Sequence, residues 1–199
     1  MTLYDLKPRF QALLRPVLRG LAHAGLTANQ VTLLALLLSL ALGLALVLHP
    51  SPLLFLLLPP FLFIRMALNA IDGLLAREFN QQSRLGAVLN EVGDVVSDAA
   101  LYLPFALLPG ADPMAVVVMV LLANLTEFVG VTTQAIGAGR RYDGPLGKSD
   151  RAFVLGAYAL AVGLYAPALA WSAWLFWVLA ALSALTCLNR VRRALKESR

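Results

Sequence analysis

The sequence predicts an all-α integral membrane protein in which six transmembrane helices follow an amphipathic surface helix. Three observations predict this. Hydrophobic residues make up 60% of the chain and charged residues 14%, with a mean hydropathy of +0.77. That is more apolar surface than a soluble fold of 199 residues can bury. The apolar residues gather into six runs, each near the roughly 20 residues needed to cross about 30 Å of hydrocarbon. The basic residues fall in alternate connections between those runs.

Residues 1–24 carry too much charge to span. Leu6, Phe10, Leu13, Leu14, Val17, Leu18 and Leu21 recur at helical spacing opposite Arg9, Arg15 and Arg19, which suits a helix lying on the cytoplasmic leaflet. Gly25 ends it. The six spans follow at about 29–48, 53–77, 84–108, 114–137, 150–168 and 170–189, and residues 190–199 form a basic tail. Thr27 is placed to cap the first span and Gln30 to reach back to it, as in a capping box. The whole chain, 1–199, reads as one membrane domain.

An even number of spans puts both termini on one side, and the loop lysines and arginines decide which. Lys7, Arg9, Arg15, Arg19, Arg77, Arg84, Arg140, Arg141, Lys148, Arg151, Arg190, Arg192, Arg193, Lys196 and Arg199 all fall on that side, fifteen of the 16 basic residues. The opposite connections, near His49, Pro109 and Pro167, hold none, so the termini are expected in the cytoplasm. Membrane lipids are the expected surroundings, and the expected location is a bacterial inner membrane, an expectation that rests on the family resemblance given below. The net charge of +5 is what this topology produces, and the scatter of basic residues between apolar runs excludes a nucleic-acid partner. A lone cysteine, Cys187, excludes a disulfide framework and a cysteine-based zinc site. Trp171, Trp174 and Trp177 suit an outer aromatic belt.

Ionisable groups inside spans cost about 2.5–3.5 kcal/mol each at mid-helix and call for a reason. The second span ends with Asn69, Asp72 and Arg77, and the third begins with Asn90, Glu91, Asp94 and Asp98. Asn69 and Asp72 share one helix face, as do Asn90, Asp94 and Asp98. The loop between the spans is cytoplasmic, so these ends meet at similar depth. Carboxylate and amide oxygens converging from two helices suit a hard divalent cation that also takes ligands from a substrate phosphate. Gly73, Gly86 and Gly93 interleave with them and allow close approach of a helix or a ligand.

Asn69, Asp72-Gly73, Ala76-Arg77, Gly86, Asn90 and Asp94 have the spacing D-x2-D-G-x2-A-R-x8-G-x3-D-x3-D, and in this the chain resembles the CDP-alcohol phosphotransferase family. Two family aspartates are asparagines here, Asn69 and Asn90. The resemblance implies transfer of a phosphatidyl or other phosphoalcohol group from a CDP-linked donor, CDP-diacylglycerol or another CDP-alcohol, to an alcohol acceptor with release of CMP. It implies one or two Mg²⁺ or Mn²⁺ ions on Asn69, Asp72, Asn90 and Asp94, in a site weakened by the lost carboxylates, with Asp98 and Glu91 as additional ligands. Asp94 is the implied general base, and Asp72, Gly73, Ala76, Arg77 and Gly86 would bind the CDP moiety.

Lys148 and Arg151, where the fifth span begins, are candidates for holding the acceptor, and Arg140 and Arg141 belong to the same basic loop. Arg65 and Glu127 are expected to pair with each other or to line the polar cavity. A homodimer is an open expectation. Two other readings compete: a catalytically silent relative that binds CDP-lipid or a partner protein, and a small transporter. Against the transporter, the chain shows neither related halves nor paired broken helices.

Overall fold

The computed structural model describes the backbone of residues 3–197 and the side chains of residues 10–197. Among the described residues there are seven long helices and no strand: α1 (Leu3–His23), α2 (Ala28–Leu48), α3 (Leu58–Glu78), α4 (Arg84–Tyr102), α5 (Pro113–Ala135), α6 (Lys148–Leu164) and α7 (Ser172–Glu197). Short 3₁₀ turns at Leu54–Leu57, Leu103–Leu107 and Ala166–Trp171 precede α3, follow α4 and precede α7. The stretch expected to run to residue 108 as one helix therefore changes pitch after Tyr102, and Pro104, which cannot donate a backbone hydrogen bond, lies in that turn.

Local chemistry sets the boundaries. Gly25 takes a φ of 77°, and the Leu26 amide bonds back to Leu21 O at 3.0 Å, which stops α1. Thr27 then opens α2 with the expected capping box: the Gln30 amide donates to Thr27 Oγ1 at 3.3 Å, and Gln30 Oε1 accepts from the Thr27 amide at 2.8 Å. Ser83 caps α4 through the Gly86 amide at 2.9 Å. Asp112 caps α5 through the amides of Met114 and Ala115 and also accepts from the Trp177 indole at 3.0 Å. One cap comes from far along the chain: the Ala28 amide donates to Gln81 Oε1 at 2.7 Å.

Among the described residues four helical stretches are long and apolar enough to cross a membrane: Ala28–Leu48, Leu54–Glu78, Pro113–Ala135 and Ala166–Glu197. α4 carries Arg84, Glu91, Asp94 and Asp98, and α6 is only 17 residues long and begins with Lys148, Asp150 and Arg151. Both still turn apolar side chains outward, Leu85, Val88 and Val92 on α4 and Phe153 and Leu164 on α6.

The most extensive packing is α5 on α7 and α2 on α4. At Gly43 a Cβ would overlap the Ala100 backbone, so α2 and α4 touch main chain to main chain. Phe55, Phe105, Tyr158 and Phe176 form a buried aromatic cluster, with ring centroids 4.7–5.8 Å apart, at the end where the 3₁₀ turns lie. The opposite end is polar. α1 runs beside α3, with Phe10 edge-on to Phe63 at 5.8 Å and Arg15 meeting Glu78 at 3.4 Å. Leu14, Leu18 and Leu21 join the cluster around Ile71, Leu74 and Leu75, whereas Leu13 and Val17 face outward. The side chains of Leu6, Lys7 and Arg9, and residue Arg199, lie outside the described residues.

Candidate functional site

The polar end is built on α3 and α4. Asn69 and Asp72 sit one turn apart on α3, and Asn69 Nδ2 donates to Asp94 Oδ1 across to α4 at 2.9 Å. Asp72 is 5% exposed and accepts a hydrogen bond from Thr32 Oγ1 of α2 at 2.8 Å. Sequence reasoning missed Thr32. Its signal was a hydroxyl one turn inside an otherwise apolar span, where it can bond its own backbone or a neighbour.

The glycines act by what they leave out. A Cβ on Gly86 would lie 2.6 Å from Asn29 Oδ1, so any larger residue there would push the Asn29 side chain aside at the start of α2. A Cβ on Gly73 would lie 3.1 Å from Nη1 of Arg77, whose side chain folds back over the bare helix surface while remaining exposed. Among the described residues Arg77 has no acidic partner within 4.0 Å, and its side chain is exposed. Ala76 is half-buried beside the α1–α3 contact, and Asn90 is half-buried one turn before Asp94.

Beyond Asp94 a chain of charges crosses the bundle. Asp94 Oδ1 accepts from Asn69, lies 3.4 Å from Arg65 Nη2 and pairs with Lys148 Nζ of α6. Asp94 Oδ2 takes part in none of these contacts. Arg65 Nη1 binds Asp98 Oδ1 at 2.6 Å, and its Nη2 reaches the Asp94 carbonyl at 3.1 Å. Arg151, 1% exposed, links Asp98 at 3.4 Å to Glu127 at 3.1 Å and donates to Thr126 Oγ1 at 3.0 Å. Glu127 also has Arg140 and Arg190 at 3.8 Å, and Arg140 Nη2 holds Glu91 Oε2 at 2.9 Å.

Arg65 and Glu127 do not pair with each other, the first of the two expected arrangements; Arg65 meets Asp98, Glu127 meets Arg151, and Arg151 also reaches Asp98. Asp98 and Glu91 are both engaged by arginines. Arg151 is buried in ion pairs. Lys148, by contrast, reaches the centre itself.

The Arg140–Gly147 segment is pinned rather than free. Arg141 pairs with Glu197 and Arg193 with Asp143, both at 2.6 Å, and the Leu146 amide donates to Thr186 Oγ1 at 3.1 Å. Gly144 has a φ of 137°, and a Cβ there would collide with Thr186.

Among the described residues no three His, Cys, Asp or Glu side chains gather as a metal cage. Two positions that would complete one are the amides Asn69 and Asn90. The remaining donors are all oxygens, and one of them, the buried Asp72 carboxylate, has no cationic side chain paired with it. A hard divalent cation whose other ligands come from amides and substrate phosphates fits this donor set.

A model of the CDP-alcohol phosphatidyltransferase family matches residues 25–188. The chain is 56% identical over 172 residues to the Escherichia coli inner membrane protein YnbA, with 86% of each chain covered. It is 30% identical over 179 residues to phosphatidylinositol phosphate synthase of Mycobacterium tuberculosis, with 81% of each covered. The crystal structure of that synthase with CDP-DAG bound has the same fold, with a TM-score of 0.72 at 24% identity over 90% of this chain and 92% of the other. Its structure in complex with manganese and citrate matches at a TM-score of 0.72 and 25% identity, over 90% and 88% of the two chains.

Proposed function

We propose, for a chain that belongs to the CDP-alcohol phosphatidyltransferase family, that it transfers a phosphatidyl group from CDP-diacylglycerol to an alcohol acceptor and releases CMP. The observation that carries this reading is the meeting of the two halves of the signature. Asn69, one turn before Asp72-Gly73 on α3, donates to Asp94 of α4, the last residue of the Gly86, Asn90 and Asp94 series.

In the reaction the acceptor oxygen forms a bond to the phosphorus distal to cytidine as the bond from that phosphorus to the CMP oxygen breaks. The acceptor proton passes to Asp94, whose Oδ2 is free of the contacts that hold Oδ1. Arg77 is the exposed cation at the mouth and pairs with the donor's phosphates. The missing side chains at Gly73, beneath the Arg77 guanidinium, and at Gly86, beside Asn29, leave room for the nucleotide when those two flexible side chains move, near the half-buried Ala76. Lys148 faces the same centre from α6 and draws the acceptor, or its anionic group, toward Asp94. A divalent cation, Mg²⁺ or Mn²⁺, would be held by Asp72 and Asp94 with the amide oxygens of Asn69 and Asn90, and when bound it neutralises charge on the pyrophosphate.

The membrane arrangement belongs to the same proposal. α2 to α7 make six spans and α1 lies at the cytoplasmic surface of a bacterial inner membrane, with both termini in the cytoplasm. Ion pairs between Arg15 and Glu78, Arg140 and Glu91, and Arg141 and Glu197 gather the basic segments at one end of the bundle, which supports that orientation.

The second reading, a silent relative that retains CDP-lipid binding, is favoured by one observation. Asn69 offers Asp94 an amide NH₂ where the family has a carboxylate. CMP release from CDP-diacylglycerol by the purified chain, with divalent metal and a panel of alcohols, separates the two. Release that chelator and Asp94→Asn both abolish is the expected result, and no release with any acceptor or metal would overturn the transferase reading.

A further inference from the structure

Away from the α3–α4 centre, the ends of α5 and α7 leave a groove of about 200 Å³ between them on the outside of the bundle. Phe128, Thr132, Thr133 and Ile136 line it from the α5 side, and Val191 and Leu195 from α7. Both threonines turn their hydroxyls to backbone carbonyls. Thr132 Oγ1 donates to Phe128 O at 2.8 Å, and Thr133 Oγ1 donates to Gly130 O at 2.8 Å and to Gly139 O at 3.1 Å. The groove surface is therefore carbon throughout, although two of its residues are polar by name.

A groove of that size has no room for a helix, whose diameter with side chains is about 10–12 Å. It has room for a single hydrocarbon chain. Its depth in the membrane follows from the length of α7, which runs for 26 residues. At about 39 Å that helix exceeds the roughly 30 Å of hydrocarbon, so its final turns reach the headgroup level and the groove opens just beneath.

The basic residues of those final turns are of two kinds. Arg193 pairs with Asp143 at 2.6 Å, and the buried Arg190 donates to Thr126 O and lies 3.8 Å from Glu127. Arg192 and Lys196 are exposed, and among the described residues neither has a carboxylate within 4.0 Å. They lie one helical turn apart, in the row next to Val191 and Leu195. The end of α7 thus sets two uncompensated cations beside a groove that offers only carbon. A molecule with an anionic head and an aliphatic tail complements both, and an anionic membrane phospholipid has that form.

We propose that the α5–α7 groove binds one acyl chain of an anionic phospholipid, with the lipid's phosphate on Arg192 and Lys196. The site carries none of the signature residues of α3 and α4, and it stands whether or not the chain releases CMP.

The purified full-length chain is titrated in nonionic detergent with phosphatidylglycerol, or with phosphatidylcholine of the same acyl chains, and bound lipid is counted by native mass spectrometry. One tightly held phosphatidylglycerol per chain is expected, with phosphatidylcholine bound at least about tenfold more weakly. Arg192→Gln with Lys196→Gln should erase that preference. Arg19→Gln with Arg84→Gln, which removes the same charge from exposed positions elsewhere on the chain, should leave it intact. Thr132→Trp fills the groove and should weaken the binding of both lipids by about tenfold or more. Thr132→Val keeps the shape and drops a hydroxyl that the groove does not use, and it should bind as the native chain does.

Equal binding of the two lipids, or no lipid held, would overturn the proposal. So would a preference that survives the Arg192 and Lys196 changes or falls with those at Arg19 and Arg84, and binding that Thr132→Trp leaves untouched or Thr132→Val abolishes. A native dimer that Thr132→Trp separates into monomers would give the groove to a second copy of the chain and overturn it as well.

Discussion

Replacing Arg65 by methionine removes the buried guanidinium that joins α3 to α4 while keeping an unbranched side chain. Arg65 is 3% exposed and so is Asp98, and the bond between them, 2.6 Å, is the shorter of the two that Asp98 makes to arginine. Stripping one partner from a buried pair costs about 3–5 kcal/mol, because the other charge is left behind. Here Arg151 remains at 3.4 Å from Asp98, so the loss belongs at the low end, about 3 kcal/mol. For a chain of this size that corresponds to roughly 6–12 °C in apparent unfolding temperature.

Asp98→Leu should cost less, about 2 kcal/mol, because Arg65 retains Asp94 and Arg151 retains Glu127 and Thr126. The double variant Arg65→Met with Asp98→Leu should then unfold within about 3 °C of Arg65→Met alone, since the stranded charge is gone. The assay is thermal unfolding in one detergent at one scan rate, followed by tryptophan fluorescence. Additive losses in the double variant, or an Arg65→Met chain that unfolds with the native one, would refute the claim that this pair bears the charge balance of the interior.

Three further outcomes follow from the same geometry. Asp72→Asn and Arg77→Ala should each lower CMP release by at least about a hundredfold, because one removes the uncompensated carboxylate and the other the exposed phosphate-facing cation, while Trp174→Phe should change it less than twofold. Restoring Asn69→Asp and Asn90→Asp should lower the Mn²⁺ concentration giving half-maximal release, by several-fold or more, since each adds a hard anionic ligand. Reporters fused after residues 50, 111 and 168 should give an external signal and one at the C-terminus a cytoplasmic one; a cytoplasmic signal at any of the first three would overturn the six-span arrangement.

The helices, and the shared faces of Asn69 with Asp72 and of Asn90 with Asp94, were legible because both rest on local rules. Apolar run length marks a helix, and three- and four-residue spacing marks a face. The Thr27–Gln30 box and the helix stop at Gly25 are consequences of neighbours in sequence. What escaped was the choice of partner among distant charges. Spacing places Arg65 inside a span but not which of Asp94, Asp98 or Glu127 it will meet, because that depends on how α3, α4 and α5 are rotated about their axes. Arg151 looked like a cation at a membrane surface, yet the packing of α6 turns it inward to Asp98 and Glu127. The same rotation brings Lys148, 54 residues from Asp94, onto its carboxylate. Thr32 was hidden for the opposite reason, since one hydroxyl in an apolar run is unremarkable until a carboxylate is found opposite it.

The start of α2 borrows its partners from chain that has not yet been made when it leaves the ribosome. The Ala28 amide is closed by Gln81, 53 residues later, and Thr32 binds Asp72, 40 residues later. At about 5–20 residues per second, α2 waits roughly 3–10 s for Gln81 to be synthesised. During that interval Thr32 has a local substitute, the Ala28 carbonyl at 3.1 Å, which can satisfy its hydroxyl within the same helix turn. The first span can therefore be inserted with its polar hydroxyl internally bonded. In the finished structure the Thr32 hydroxyl lies within reach of both acceptors, Ala28 O at 3.1 Å and Asp72 Oδ2 at 2.8 Å, so its one proton can pass from the local partner to the distant one without leaving hydrogen-bond distance of either.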